Sequence, residues 1–324
     1  MYKNKVAVVT GCGSFIATNL CHELLKRGWN IYGIDAECYN ANESQINLFK
    51  QYRNFKYINA KIEEIDWLPE CDVIFNLAAE SHVDNGNKNS KNFIDSNIHG
   101  VRNLLELMNN QITISVDKPL FFHFSTDEVY GDQLQGQVDE DSPVKPSNPY
   151  AATKAAADLF IQSWKRTHGL EYIIVRPSNN YGLFQYPDKL IPLAVKRLNR
   201  GKKIKLHNAG TPIRTWTHVN DTIAAVFLLL EKADRNRIYN ISSEYEQTNL
   251  VTAKKIINAY FNKNALVEID NYNEYLDLTR ERPGQDIRYA LSCNHLKQYG
   301  WVPKVDFDEE IVSLVNHYKE SFIW

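Results

Sequence analysis

Short apolar runs alternate with segments of helical spacing through the first half of the chain. Six runs are rich in β-branched and aromatic residues and are predicted to be strands, at 5–10, 29–34, 55–59, 72–78, 119–125 and 172–176. Between them, apolar residues recur every three or four positions, which predicts helices over 15–28, 97–110 and 150–169. This alternation predicts βαβ units and therefore an α/β fold with a doubly wound parallel sheet.

The pattern changes after residue 176, where Asn, Pro and Gly become more frequent. We therefore predict a first domain over 1–181 that contains the sheet, and a smaller C-terminal domain over 182–324 at the carboxyl edge of the sheet, where folds of this kind bind their ligands. The segment of about 219–243, with a predicted core helix and a strand, is expected to return to the first domain. The two domains are thus expected to interleave.

Composition and charge narrow the possible partners. The 324 residues include 37 basic and 39 acidic ones in no long block of one sign, so neither nucleic acid nor an anionic membrane is an expected partner. The five cysteines are odd in number and lack the spacing of a zinc site, so no metal centre is expected. We expect them to be reduced thiols in a protein of the cytoplasm. The longest apolar run, 224–230, is too short to cross a membrane, and no leader-like pattern is expected at the N-terminus.

The first predicted strand-to-helix turn reads TGCGSFIA, Thr10–Ala17. Gly11 and Gly13 would let backbone amides approach a pyrophosphate at the start of the helix, a tight turn being the alternative. The next residues of this turn are also candidate cofactor contacts: Ser14, Phe15 and Ile16. Asp35 ends the second strand, where a carboxylate accepts hydrogen bonds from both ribose hydroxyls and disfavours a 2′-phosphate. The pattern favours NAD over NADP.

Tyr150 and Lys154, in NPYAATKAAAD, are four residues apart on a predicted helix and therefore share one face. A tyrosine hydroxyl, with an ordinary pKa near ~10, becomes a base at neutral pH only where positive charge stabilises its phenolate. Lys154 and an oxidised nicotinamide could supply that charge. Y-x-x-x-K is common by chance, but after a dinucleotide turn and a strand that ends in a hydroxyl residue it indicates oxidation of an alcohol.

The stretch FFHFSTDEVYG, residues 121–131, ends a predicted buried strand with two adjacent acids, Asp127 and Glu128. Neighbouring side chains of a strand point to opposite faces, so both acids can serve one site only if the chain turns there or begins a helix. Capping or a solvated loop is the alternative interpretation.

These motifs, in this order, resemble the extended short-chain dehydrogenase/reductase family, whose fold contains a Rossmann sheet. Within that family, five segments resemble the nucleoside-diphosphate-glucose 4,6-dehydratases over essentially the whole chain. They are NLAAESHVD (76–84), FSTDEVYG (124–131), SNNYG (178–182), KLIP (189–192) and RPGQDIRY (282–289). The combination of T-D-E with Y-x-x-x-K is the most discriminating part of the resemblance.

The resemblance implies a redox-neutral lyase that uses NAD and turns a nucleotide glucose into its 4-keto-6-deoxy product, as in rhamnose-type deoxysugar biosynthesis. Tyr150 would take the C4 hydroxyl proton while Thr126 hydrogen-bonds the C4 oxygen, with Lys154 beside them. Glu128 resembles the base that removes the C5 proton. Asp127 resembles the acid that protonates the departing C6 hydroxyl.

Matching motifs imply further contacts. The residues that resemble the wall beside the cofactor are Leu77, Ala78, Ala79, Glu80, Ser81, Ser96 and Asn180. The residues that resemble contacts to the nucleotide sugar are Ser81, Thr126, Asn179, Lys189, Leu190, His207, Arg214, Asn249 and Arg288. Guanidinium groups suit a diphosphate.

Some residues depart from the family pattern. Cys12 and Ser14 replace glycines of the first turn, and Cys12 is expected to make the loop sensitive to thiol reagents. Lys61 stands where relatives place an aspartate that contacts adenine. Gln285 and His207 depart from the residues expected near the base, so thymidine and uridine diphosphate sugars both stay open.

Two other functions stay open. A nucleotide-sugar 4-epimerase needs only Tyr150, Lys154 and Thr126, and the acid pair argues against it. A nucleotide-sensing regulator without turnover has no chemical need for the tyrosine and the lysine. The resemblance also implies a homodimer, formed through the helices at 97–110 and 150–167.

Overall fold

The computed structural model describes residues 5–81, 90–112, 119–262, 264–282 and 285–321, without the side chains of residues 111 and 112. Residues 82–84 of the NLAAESHVD motif and 283–284 of the RPGQDIRY motif therefore lie outside the described residues.

Twelve strands are found in the described residues. In chain order they are β1 (Val6–Thr10), β2 (Asn30–Asp35), β3 (Phe55–Asn59), β4 (Val73–Asn76), β5 (Leu120–Phe124), β6 (Glu171–Pro177), β7 (Asn179–Tyr181), β8 (Ile204–His207), β9 (Ile213–His218), β10 (Arg237–Ile241), β11 (Glu246–Thr248) and β12 (Leu276–Arg280).

The α-helices of the same residues are numbered in the same way. They are α1 (Phe15–Lys26), α2 (Glu43–Phe49), α3 (Lys91–Ile94), α4 (Gly100–Ile112), α5 (Pro149–His168), α6 (Leu190–Asn199), α7 (Val219–Lys232), α8 (Asn249–Asn262), α9 (Asn294–Lys297) and α10 (Phe307–Glu320). None of these helices is long and apolar enough to cross a membrane.

Seven strands form one sheet in the order β10-β6-β5-β4-β1-β2-β3, and every pair in it is parallel. The strand order reverses between β1 and β4, which opens a crevice at the carboxyl ends of those strands. The α/β prediction with a doubly wound parallel sheet is confirmed. β10, from the late segment that was expected to return, pairs with β6 at one edge of this sheet.

Side chains that alternate along each strand bury both faces of the sheet. On β1, Val9 packs with α1 and α7 on one face, whereas Val8 packs with α4 and α5 on the other. Each buried apolar side chain contributes roughly 1.5–3 kcal/mol to the stability of the fold. Because helices cover both faces of the sheet, the sheet and its carboxyl edge are held firmly in place.

A separate core lies in the C-terminal part. Helices α6, α8 and α10 pack together around Tyr181, Trp216 and Phe307. Two small sheets join this part: β11-β9-β7, and the parallel pair β12-β8. β7 follows β6 after a single residue, so the C-terminal core begins directly at the carboxyl edge of the large sheet.

Two predicted helix boundaries were wrong. The helix expected from residue 97 already begins at Lys91 and passes through a π-helical turn over Asp95–His99, which contains the buried Asn97. Asn97 accepts from the Glu80 amide at 3.0 Å and donates to the Glu80 carbonyl at 3.1 Å. The predicted core helix, THVNDTIAAVFLLLEK over 217–232, begins instead at Val219, because β9 extends to His218, whose ring caps the helix by accepting from the Asn220 amide.

Candidate active site

The glycine turn after β1 approaches the loop after β4 closely. Gly11 has a φ of +65°, and a Cβ there would lie 3.0 Å from the backbone of Ala78. On the other side of the contact, the amides of Leu77 and Ala78 both donate to the Thr10 hydroxyl, each at 3.1 Å. Only glycine fits at position 11 without moving that loop.

Asp35 ends β2 with its carboxylate held by two backbone amides. Oδ2 accepts from Gly13 at 2.9 Å and Oδ1 accepts from Glu37 at 2.8 Å. Burial raises the pKa of Asp35, and these two amides counteract the effect of burial. Each oxygen keeps acceptor capacity for a ribose hydroxyl.

A cavity of about 320 Å³ lies between the glycine turn and the loop after β4. Eight of the predicted cofactor contacts line it: Gly11, Ser14, Asp35, Leu77, Ala78, Ala79, Glu80 and Ser96. Lys61, where relatives place an aspartate, lines it as well. Gly13, Phe15 and Ile16 do not line it; Gly13 faces Ile46, and the side chains of Phe15 and Ile16 pack against the core.

The expected thiol sensitivity of Cys12 is wrong. Its sulfur is fully buried and would lie 2.9 Å from a Cβ at Gly33, so it fills space beneath the turn. Burial raises the pKa of the Cys12 thiol well above its ordinary value, which keeps it protonated and inert.

Strand β5 is followed by the two adjacent acids Asp127 and Glu128, and the chain begins a helical turn there. Asp127–Tyr130 form one 3₁₀ turn, and the Thr126 hydroxyl caps it by accepting from the Glu128 amide at 3.3 Å. This turn lets both acids serve one site, because they are no longer successive residues of a strand.

The two acids have different surroundings. Asp127 is buried, its Oδ1 accepts from Thr126 at 3.2 Å, and its Oδ2 has no partner among the described residues. Glu128 is half-buried and accepts from Asn148 Nδ2 at 3.1 Å. Burial, followed by the neighbouring Glu128, raises the pKa of Asp127 to about 7. Burial also raises the pKa of Glu128, but Asn148 and Arg214 counteract it.

Tyr150 and Lys154 lie on α5, which begins with the Asn148 side chain accepting from the Ala151 amide at 2.9 Å. Tyr150 is hydrogen-bonded to Thr126, and the Phe93 ring packs 5.9 Å from its ring. Burial raises the pKa of Tyr150, as do the two nearby acids. Lys154 is buried and donates to the Phe124 carbonyl at 2.6 Å; burial lowers its pKa to about 8.

A larger cavity of about 750 Å³ lies between the carboxyl edge of the sheet and the C-terminal part. Many predicted residues line it: Ser81, Glu128, Asn179, Asn180, Lys189, Leu190, His207, Arg214 and Asn249. Glu80 lines the smaller cavity and Ser81 the larger one, so the two cavities adjoin at this loop. Asn180 Nδ2 donates to the Ser178 carbonyl and its Oδ1 accepts from Thr222, so it also fixes its own loop.

Arg288, a predicted substrate contact, lies outside the lining of the larger cavity. Its guanidinium forms a bidentate pair with Glu246 at 2.8 and 2.9 Å and donates to the carbonyls of Gln133 and Gly136. Arg282, six residues earlier in the same motif, does line the cavity. The RPGQDIRY motif therefore does supply an arginine to the cavity, but that arginine is Arg282, which we had not singled out from the sequence.

Other residues at the site were also missed. Asn148 lies in the quoted NPYAATKAAAD segment and was given no role at the site, yet its side chain donates to Glu128. Asp188, Lys205 and Trp216 line the larger cavity, and no sequence pattern singles them out. Asp188 directly precedes the quoted KLIP segment, which is the only signal that could have identified it.

Several residues that line this cavity have a buried polar atom without a partner among the described residues. These atoms include Asn179 Oδ1, Gln185 Oε1, Trp216 Nε1 and Gln285 Oε1. Leaving such groups unpaired is costly, so the wall is suited to a polar ligand with many donors and acceptors.

These features define a class of protein: a Rossmann-fold enzyme with a dinucleotide site, a tyrosine–lysine pair and a carboxyl pair beside a second polar cavity. The chain belongs to the NAD dependent epimerase/dehydratase family, whose family model matches residues 7–242.

Relatives and solved structures agree with that membership. The chain is 35% identical over 329 residues to dTDP-glucose 4,6-dehydratase of Haemophilus influenzae, covering 96% of this chain and 97% of that one. It is 33% identical over 316 residues to the low-salt glycan biosynthesis protein Agl12 of Haloferax volcanii, again covering 96% and 97%. The crystal structure of DesIV, a dTDP-glucose 4,6-dehydratase of Streptomyces venezuelae with NAD and TYD bound, superposes with a TM-score of 0.89 at 29% identity, covering 98% and 97%.

Proposed function

We propose that this protein is an NAD-dependent nucleoside-diphosphate-glucose 4,6-dehydratase, a hydro-lyase. The observation that carries the proposal is the pair Asp127 and Glu128, held by one 3₁₀ turn beside Thr126 and Tyr150 at the carboxyl edge of the sheet. The likeness to dTDP-glucose 4,6-dehydratases over nearly the whole chain supports the same reaction.

The smaller cavity fits NAD. Gly11 leaves space that a Cβ would fill, and Asp35 offers two held carboxylate oxygens to ribose hydroxyls. Ser14, Leu77, Ala78, Ala79, Glu80 and Ser96 would line the dinucleotide, with the start of α1 near the pyrophosphate. When bound there, NAD would supply the hydride acceptor for oxidation at C4 and the hydride donor for C6.

Tyr150 takes the proton of the C4 hydroxyl, and Thr126 hydrogen-bonds the same oxygen. Lys154, with its pKa lowered to about 8, provides the nearby positive charge that favours the phenolate. A ketone at C4 makes the neighbouring C5 hydrogen acidic. Glu128, which Asn148 and Arg214 favour as a carboxylate, is the base that removes this proton.

Asp127 is the acid that protonates the leaving C6 hydroxyl. Its pKa of about 7 keeps a large fraction protonated at neutral pH. Adjacent carboxyls in unlike surroundings thus divide the roles of acid and base. A 4-epimerase has no step that needs either role, so the acid pair favours dehydration over epimerisation.

We assign the larger cavity to the nucleotide sugar. Arg214 and Arg282 are placed to bind the diphosphate, and Asn179 and Ser81 to bind the sugar. His207, Asn249 and the segment at Lys189 and Leu190 lie at the same wall and are assigned to the nucleoside. These residues fit thymine and uracil alike, so both nucleotides are candidate substrates.

We further propose a homodimer that forms through α4 and α5, in a cytoplasmic compartment. Leu159 on α5 is 59% exposed and Ile94 on α3 is 40% exposed, which leaves apolar surface beside these helices. All five cysteines are unpaired thiols, as a reducing compartment would keep them. Sedimentation of the purified protein should give a dimer, and Leu159→Asp should shift it to monomer.

The test of the reaction is to incubate the purified protein with NAD and either dTDP-glucose or UDP-glucose in deuterated water. We expect a 4-keto-6-deoxy product with solvent deuterium at C5, and the relative rates identify the preferred base. A 4-epimer without loss of water would contradict the proposal, and so would tight NAD binding without turnover of either sugar.

A further inference from the structure

A row of buried side chains crosses three neighbouring strands and ends at Lys154. Thr10, Asn76 and His123 are register partners on β1, β4 and β5, so they lie side by side on one face of the sheet. Thr10 Oγ1 lies 2.7 Å from Asn76 Oδ1, Asn76 Nδ2 lies 3.0 Å from His123 Nδ1, and His123 Nε2 lies 3.2 Å from Lys154 Nζ. All four residues are at most 3% exposed.

The direction of each hydrogen bond follows from the Thr10 end. The Thr10 hydroxyl accepts from the amides of Leu77 and Ala78, so its own proton goes to Asn76 Oδ1. Asn76 therefore turns its Nδ2 toward His123 and donates to Nδ1. Because Nδ1 must accept, a neutral His123 carries its proton on Nε2.

His123 is neutral, because burial and the charges of Lys154 and Arg176 hold its pKa well below the ordinary value. Its Nε2–H then points toward the amine of Lys154, 3.2 Å away. An ammonium group has donors only, whereas a neutral amine has one lone pair that can accept. The Nε2–H of His123 therefore faces a lysine whose charged form has no lone pair to accept it.

We propose that His123 is a positioning residue for the oxidation step: its Nε2–H favours the neutral amine of Lys154 and so sets the pH at which Lys154 becomes charged. The proposal rests on the proposed function only in that C4 oxidation is named as the step that Lys154 supports. The same row connects Lys154 to the loop of Leu77 and Ala78, which lines the cofactor cavity.

Other groups also act on Lys154. Asp158, one turn along α5, favours its charged form; its Oδ2 is bound to Arg176 at 2.9 Å, and its Oδ1 lies 3.8 Å from His123 Nε2, farther than the amine of Lys154. The Phe124 carbonyl accepts from Lys154 in either form. Among the described residues, Tyr150, Asp127 and Glu128 are further titratable groups near this end of α5. Burial already lowers the pKa of Lys154 to about 8, and the donor of His123 acts in the same direction.

The consequence concerns the basic limb of the pH profile. The charge of Lys154 stabilises the phenolate of Tyr150, and this charge is lost as pH rises through the pKa of Lys154, about 8. A donor that disfavours the charge brings its loss to lower pH, so removing the donor should raise the pH at which oxidation declines. A change of one pH unit corresponds to about 1.4 kcal/mol.

Two neutral variants test this. His123→Phe removes the donor, and Thr10→Val frees Asn76 to turn its Oδ1 toward His123, which moves the histidine proton to Nδ1. The reduction of NAD by substrate is followed against pH in a Glu128→Gln background, where water loss is blocked. We expect the basic limb to move about one unit higher in both variants; an unmoved basic limb in both would overturn the proposal.

The second readout needs no substrate and stands even if the proposed reaction is wrong. Nitrogen-15 shifts of labelled histidines show which ring nitrogen carries the proton. His123 should be protonated on Nε2 in the parent protein and on Nδ1 in Thr10→Val. His218, also buried and accepting the Asn220 amide on Nδ1, is the internal control and should not change. A proton on Nδ1 of His123 in the parent protein would overturn the proposal.

Discussion

At the scale of single residues, two adjacent carboxyls acquire different chemistry from their surroundings. Asp127 has a buried oxygen without a partner among the described residues, whereas Glu128 has an amide donor from Asn148. Burial alone would raise the pKa of both. The donor decides which of them is more readily a carboxylate.

Glu128→Gln should stop water loss while NAD binding and C4 oxidation continue. The amide keeps the shape of the side chain but cannot accept the C5 proton. Rapid mixing with substrate should show reduced cofactor that accumulates, with product formation at least about 100-fold slower. Asp127→Asn is the matched control; it keeps C5 proton exchange with solvent but slows departure of the C6 hydroxyl. Unchanged product formation in Glu128→Gln would contradict the base assignment.

Asp127 should also make stability depend on pH. An unfolded aspartate titrates near ~3.9, and burial raises the folded pKa to about 7, so the folded state holds the extra proton between these values. The free energy of unfolding of the free enzyme therefore falls as pH rises from about 4 to 7. Asp127→Asn should remove this slope and stabilise the protein at pH 8, by on the order of 2–4 kcal/mol.

Denaturant unfolding at several pH values measures this slope. A parent protein whose unfolding free energy shows the same pH dependence as Asp127→Asn would contradict the buried, protonated state of Asp127.

At the scale of elements, one asparagine connects the start of a helix with the catalytic turn. Asn148 caps α5 through Oδ1 and binds Glu128 through Nδ2. The orientation of α5 and the charge of Glu128 are therefore set by the same side chain.

Asn148→Ala should cost about 1 kcal/mol of stability through loss of the cap, and it should move the acidic limb of turnover to higher pH, because Glu128 loses its donor. Asp306→Ala is the matched control, since Asp306 caps α10 by accepting from the amides of Asp308 and Glu309. It should cost similar stability with no shift of the pH profile. Equal pH profiles in the two variants would refute the link between Asn148 and Glu128.

At the scale of the whole molecule, the larger cavity exists because the C-terminal core begins where the large sheet ends. Residues far apart in the chain meet there, among them Ser81, Asn179, Arg214 and Arg282. The two arginines of the RPGQDIRY motif lie in different surroundings. Arg282 lines the cavity, and Arg288 binds Glu246 outside its lining.

Arg282→Ala should raise the KM for the nucleotide sugar about tenfold or more with little change in stability, because it removes a charged hydrogen-bond donor from the cavity wall. Arg288→Ala should instead lower the unfolding free energy by about 1–3 kcal/mol and leave KM nearly unchanged, because it leaves Glu246 without its partner. Steady-state kinetics and denaturant unfolding separate the two effects. The opposite result would restore Arg288 as the substrate contact that the motif suggested.

The parallel sheet was predictable because each strand is a short apolar run and each helix repeats its apolar positions. The residues that we propose as catalytic could be singled out from the sequence because they lie in short motifs at strand ends. Asn97 and Arg282 were not assigned correctly from sequence. The buried Asn97, in its π-helical turn, binds Glu80 from another loop, and Arg282 differs from Arg288 only in what surrounds it.

The amino-acid sequence by itself determined the strand-and-helix order, the preference for NAD through Asp35, and the residues to which we assign the chemistry. These depend on local spacing and on the type of side chain. Only the tertiary structure decided which acid holds a proton, which arginine reaches the cavity, and which ring nitrogen of His123 faces Lys154. Those outcomes depend on burial and on hydrogen-bond partners from distant segments, and local spacing contains neither.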